Sequence, residues 1–226
     1  MKKLIIGICC IFVITIAAIL LCGKSVNNDP LSIIKPKIII DNIKCNSDKN
    51  KNGIDDLDDI VIGAEQEATN KTKYKDAYYI GGYPPNSEGV CTDVVWRALK
   101  HAGYDLKTAV DNDIKQNPKD YSASVKIPDP NIDFRRVKNL QTFFKKHALS
   151  LSTQVIPNDK NNLVQWQRGD IVILDKQEHI GIISDKRGRN GVPYVIHNSY
   201  PNARESDSLF SWYKQNRIVA HFRFPN

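Results

Sequence analysis

The feature that most constrains this chain is a change of hydrophobic period near residue 148. Before it, apolar residues recur at three- and four-residue steps; after it, they alternate or run in short blocks. Ile54, Leu57, Ile60, Val61, Ala64 and Ala68 form one stripe and predict a helix over residues 55–70. Val94, Val95, Ala98, Leu99 and Ala102 predict a second helix that begins at Cys91 and is stopped by Gly103. A short helix is expected over residues 106–116, and an amphipathic one over 134–147 with Val137, Leu140, Phe143 and Phe144 inward. Strands are expected at 149–155, 170–174, 180–184, 194–197 and 218–224. Helices first and strands afterwards imply an α+β fold with a largely antiparallel sheet.

The N-terminus is different in kind. Lys2 and Lys3 precede an uncharged apolar run from Leu4 to Cys22, and Lys24 follows it. Export signals carry about 7–15 apolar residues and a spanning helix roughly 20, so this run sits near the upper figure. Residues 1–22 are read as an uncleaved membrane anchor with a cytoplasmic basic end, ahead of a cleaved signal or a lipid on Cys22. Leu21 stands where a lipoprotein signal wants a small residue. The expected organisation is anchor, spacer (23–47), an Asp/Asn-rich loop with its helix (48–72), and an extracytoplasmic domain (73–226).

Charge narrows the partners. The formal net charge is +7; without Lys2, Lys3 and Lys24, 29 basic residues face 25 acidic ones. That surplus suits an anionic polymer such as a bacterial wall. Nucleic acid is not expected, because no zinc-finger spacing or RNA-binding aromatic signature accompanies the charge.

Asp48, Asn50 and Asn52 stand at alternate positions, Gly53 follows, and Asp59 closes a twelve-residue stretch. Hard oxygens in this pattern, with glycine at the sharp turn, resemble calcium loops of the EF-hand and thrombospondin-repeat kind. A structural calcium on Asp48, Asn50, Asn52 and Asp59 is one expectation. A polar turn leading into a helix with acids at its positive end is the other.

Of five cysteines, Cys9, Cys10 and Cys22 lie in the apolar run, which leaves Cys45 and Cys91. A disulfide between these two is one reading. The other is chemical: Cys91 opens a helix behind a Tyr-, Gly- and Pro-rich loop, a position that lowers a thiol pKa. A thiolate nucleophile needs an imidazole to hold it and to protonate the leaving amine. His179 starts one expected strand and His197 ends the next, so antiparallel pairing can place the rings side by side. Asn198 is the alternative third residue, but successive strand side chains point to opposite faces.

The runs YIGGYPPNSEGVCTDVVWRALKHAG (79–103) and WQRGDIVILDKQEHIGIISDKRGRNGVPYVIHN (166–198) resemble the nucleophile and histidine segments of NlpC/P60-like cell-wall peptidases. Residues from about 74 to 224 resemble more closely the bacterial exported proteins grouped as domain of unknown function 1287. The resemblance implies a papain-like core with the nucleophile helix packed on an antiparallel sheet. It implies Cys91 as nucleophile, His179 as base, His197 as third residue and Tyr79 on the substrate side. Arg135 and Arg136 match the closer family's pattern and are read either as a clamp on a substrate carboxylate or as a basic surface pair. Val90 stands where NlpC peptidases that bind a free stem-peptide amine carry Asp. The expected activity is hydrolysis of peptide or amide bonds in peptidoglycan, with no cofactor required. The alternatives are acyl transfer from the same Cys-His site, or a calcium-dependent wall-binding module without catalysis.

Overall fold

The computed structural model describes residues 36–225. The expected anchor and the first part of the spacer lie outside them. Among the described residues, no helix is long and apolar enough to cross a membrane.

The four helices of the first half are where the apolar stripes put them: α1 (Asp56–Thr69), α2 (Cys91–His101), α3 (Leu106–Gln116) and α4 (Val137–His147). Asp55 caps α1 by accepting from the Asp58 N–H at 3.0 Å. Asp105 does the same for α3 through the Thr108 N–H. The fourth stripe was expected to begin at Phe134, but Asp133–Arg135 forms a separate 3₁₀ turn before α4.

The strands are β1 (Lys73–Tyr74), β2 (Glu88–Gly89), β3 (Leu149–Ser150), β4 (Ile171–Leu174), β5 (His179–Arg187), β6 (Pro193–Ser199), β7 (Asn202–Ser206) and β8 (Ile218–Arg223). They form one sheet in the order β2-β1-β7-β6-β5-β4-β8-β3, antiparallel except for β1 with β2. The fold is α+β. The strand expected over 149–155 pairs only at Leu149 and Ser150. Beyond it, side chains take the backbone acceptor of Gln154: Asn162 Nδ2 and Trp166 Nε1 both donate to it. Two short helices, α5 (Lys160–Leu163) and α6 (Leu209–Lys214), complete the second half.

The apolar block of β4 is continuous because both sheet faces are covered. Ile171 and Ile173 join the core beneath α1–α4, together with Ile180, Ile182 and Ile196. Val172 and Leu174 join a second core with Ile183, Val195, Trp166 and Trp212. The later part of the expected spacer is seated on the domain: Ile38 N–H donates to Arg189 O, and Gln167 bonds the backbone of Asp41 and Ile43.

Candidate active site

Cys91 is the first residue of α2 and is buried against the first core. Its sulfur is free, as is that of Cys45, so the disulfide reading fails. The start of α2 is fixed by Asp93, whose Oδ2 accepts from the Val90 N–H at 2.7 Å. Its other oxygen accepts from Trp96 Nε1. The preceding loop is held by Arg97, which donates to the carbonyls of Pro85 and Glu88 and pairs with Glu67 at 2.6 Å.

The helix terminus does not lower the Cys91 pKa. Burial pushes it up to about 11, against the opposing pull of the backbone N–H groups of Ile180 and Thr92. Desolvation of the thiolate outweighs the helix terminus, so the resting sulfur is a neutral thiol. The Ile180 N–H is informative in another way. It belongs to the peptide link that joins Ile180 to His179, so the sulfur lies at the start of β5.

His179 Nε2 and His197 Nδ1 are 2.9 Å apart, with the rings nearly perpendicular. Alternation along β5 and β6 turns both rings to the face carrying Ile183 and Val195, opposite Ile180 and Ile196. Trp212 of α6 packs edge-on against both, at centroid distances of 6.3 and 5.2 Å. Burial holds His179 down to about 4, with Asp175 opposing and Arg217 and Arg204 assisting. Burial, then His179, lowers His197 as well. Both imidazoles are therefore neutral at pH 7. Among the described residues no hydrogen bond joins Cys91 to His179, and His179 Nδ1 has no hydrogen-bond partner. Asn198 points the other way: its Nδ2 donates to the carbonyls of Thr72 and Gly89. His197 is thus the residue that meets His179, and Asn198 braces the strand ahead of Cys91.

Cys91 opens on a cleft of about 490 Å³ that also touches Tyr74, Asp76, Arg136, Lys138 and Glu178. The two arginines play different parts. Arg135 is almost wholly buried, with Nε and Nη2 on the Asp93 carboxylate at 2.8 and 2.9 Å and Nη1 on Ala77 O. Its guanidinium is spent on the protein. Arg136 pairs with Asp133 at 3.1 Å and keeps 42% of its side chain exposed at the cleft. Tyr79 lies under the Arg135 guanidinium and donates its hydroxyl to Glu88 at 2.7 Å; burial and that bond push its pKa up to about 12.

The loop read as a calcium site does gather Asp48, Asn50, Asn52 and Asp59. Both asparagine Nδ2 atoms donate to the fully buried Asp59 carboxylate, at 2.6 Å from Asn50 and 3.0 Å from Asn52. Asp48 accepts from the N–H groups of Asn52 and Gly53. The two asparagines satisfy Asp59, and the backbone N–H groups of the loop satisfy Asp48. Turning both amides over would present oxygen to the centre at the cost of those bonds. A second group sequence reasoning missed is Glu65, Asp185 and Glu205, whose carboxylate oxygens lie within 4.8 Å of one another. Glu205 is already engaged by Ser184 and Lys186. These three come from different elements, so no sequence spacing announces them.

The profile of the domain of unknown function DUF1287 matches residues 61–224. The chain belongs to the DUF1287 family. It is also 41% identical over 174 residues to the uncharacterized protein YijF of Escherichia coli (strain K12), covering 73% of this chain and 80% of that one. Cys91, His179 and His197 fall inside the DUF1287 segment, and the Asp48–Asp59 loop falls ahead of it.

Proposed function

We propose that this DUF1287 protein is an exported cysteine hydrolase with a papain-like core, acting on peptide or amide bonds of the cell wall. Cys91 is the nucleophile, His179 its base, and His197 orients the base. The observation that carries the reading is the meeting of α2 and β5 beside the Cys91 cleft. The sulfur at the start of α2 reaches the first peptide link of β5, whose opening residue is an imidazole already bonded to a second one.

The chemistry follows from the resting charges. Thiol and imidazole are both neutral, so the site works by proton removal during attack rather than from a preformed ion pair. His179 Nδ1, without a hydrogen-bond partner among the described residues, accepts the Cys91 proton as the sulfur bonds to the carbonyl carbon. Because the ring packs on the Trp212 side of the sheet, the proton passes around the first residue of β5, by a turn of the ring or through one water. The same proton goes to the leaving amine when the tetrahedral adduct collapses. Water then attacks the thioester and gives its proton to His179, releasing the acid and restoring the thiol. The cleft carries charges of both signs, with Arg136 and Lys138 on α4 and its approach, and Asp76 and Glu178 on the loops beside β1 and β5. A peptide bearing both amine and carboxylate groups suits such a lining.

Incubation with purified sacculi tests the reading. Release of new amine and carboxyl termini by the parent, and none by Cys91→Ala, is the expected result. Release by Cys91→Ala would overturn it. A competing amine in the same assay separates hydrolysis from acyl transfer, which would incorporate the amine. A wall-binding module carried by the Asp48–Asp59 loop would sediment with sacculi only with calcium present and would cleave nothing.

A further inference from the structure

Beyond the three residues above, β7 brings a fourth polar group to the imidazole pair. Ser206 Oγ lies 3.3 Å from His197 Nε2 and makes no other hydrogen bond among the described residues. Ser206 pairs across the ladder with Val195, so its side chain shares the face that carries His197. The result is a row from strand to strand: His179 on β5, His197 on β6, Ser206 on β7. Trp212 closes over the two rings from α6.

A neutral imidazole carries one proton, and its place decides what the row can do. For His179 to accept at Nδ1, its proton must sit on Nε2 and be donated to His197 Nδ1. His197 then carries its own proton on Nε2, pointing at Ser206. A buried N–H without an acceptor costs more than a bare ring nitrogen, so an acceptor at this point biases the whole row. We infer that Ser206 is a positioning residue: its hydroxyl accepts from His197 Nε2–H and holds His179 in the tautomer whose Nδ1 is free to take a proton. This rests on the hydrolase reading for its purpose, while the tautomer itself is observable without turnover. The low pKa values of both rings agree with a neutral row at pH 7. The charged groups facing it are Asp175, Arg204 and Arg217.

The experiment uses the full-length chain with ¹⁵N-labelled histidine and reads imidazole nitrogen shifts from pH 5 to 8. The parent is expected to show His197 protonated on Nε2 and bare at Nδ1. Ser206→Ala should move a measurable share of the proton to Nδ1, and Ser206→Thr, which keeps the hydroxyl, should restore the parent spectrum. With sacculi as substrate, Ser206→Ala should lower kcat about fivefold, the worth of one hydrogen bond, at unchanged KM. A His197 spectrum indifferent to Ser206→Ala, or a parent already protonated on Nδ1, overturns the inference. A parent that leaves sacculi intact overturns the hydrolase reading instead, and the nitrogen shifts still decide the part played by Ser206.

Discussion

Two polar clusters of this molecule are built in opposite ways. The Asp48–Asp59 loop draws its four side chains from twelve consecutive residues, and they bond within the loop, Asn50 and Asn52 to Asp59 and Asp48 to the loop backbone. The cleft and the imidazole row draw theirs from α2, β5, β6, β7 and α6, and the bonds that hold them run between elements distant in the chain. The local cluster is visible in the sequence but satisfied without a ligand. The assembled cluster keeps a buried thiol and, among the described residues, a ring nitrogen without a hydrogen-bond partner. Groups left unspent inside a fold are costly, and that is a reason to look there for chemistry.

The largest expected effect separates the assembled cluster from the fold it sits in. Cys91→Ala should abolish cleavage of sacculi while the melting temperature stays within a few degrees; loss of the cooperative melt would show that the thiol is structural. Next, Arg135→Ala leaves Asp93 charged, unpaired and buried. It should cost roughly 3–5 kcal/mol by urea denaturation, because removing one partner of a buried pair strands the other. A cost under 1 kcal/mol would mean that water reaches Asp93.

The third test uses pH. His179 and His197 have folded pKa values below the unfolded 6.5, so the unfolded chain binds more protons on the acid side. Their contribution is complete above pH 6.5 and is lost as the pH falls through about 4. Denaturation midpoints should drop over that window by the equivalent of a few kcal/mol. In His197→Asn, the slope should flatten. An unchanged slope would place the titration in other groups. The smallest effect belongs to the loop: Asp48→Ala removes an acceptor from two backbone N–H groups and should cost about 1 kcal/mol. A calcium-dependent rise in Tm that vanishes in Asp48→Ala would break the comparison, because the local cluster would then be a metal site.

Legibility in the sequence tracks the range of the forces involved. The four long helices were readable because a single stripe and a cap fix each one locally. Strand β7 was not: Asn202–Ser206 buries only Ala203 fully, and its place in the sheet comes from pairing with β6. Cys91, His179 and His197 could be named because a helix start and two strand ends mark them. Ser206 and the buried Asp93–Arg135 pair could not, since serine, aspartate and arginine give no periodic signal and their partners lie 9 and 42 residues away.

By itself the sequence determined the α+β class, the helix that presents Cys91 and the strands that carry two histidines, because hydrophobic period and local capping act within a few residues. The tertiary structure decided that His197 rather than Asn198 meets His179, that Arg135 is consumed by Asp93, and that the Cys91 thiol is neutral. Those outcomes depend on which face a side chain takes and on how far water is excluded, and both are set by packing between elements distant in the chain.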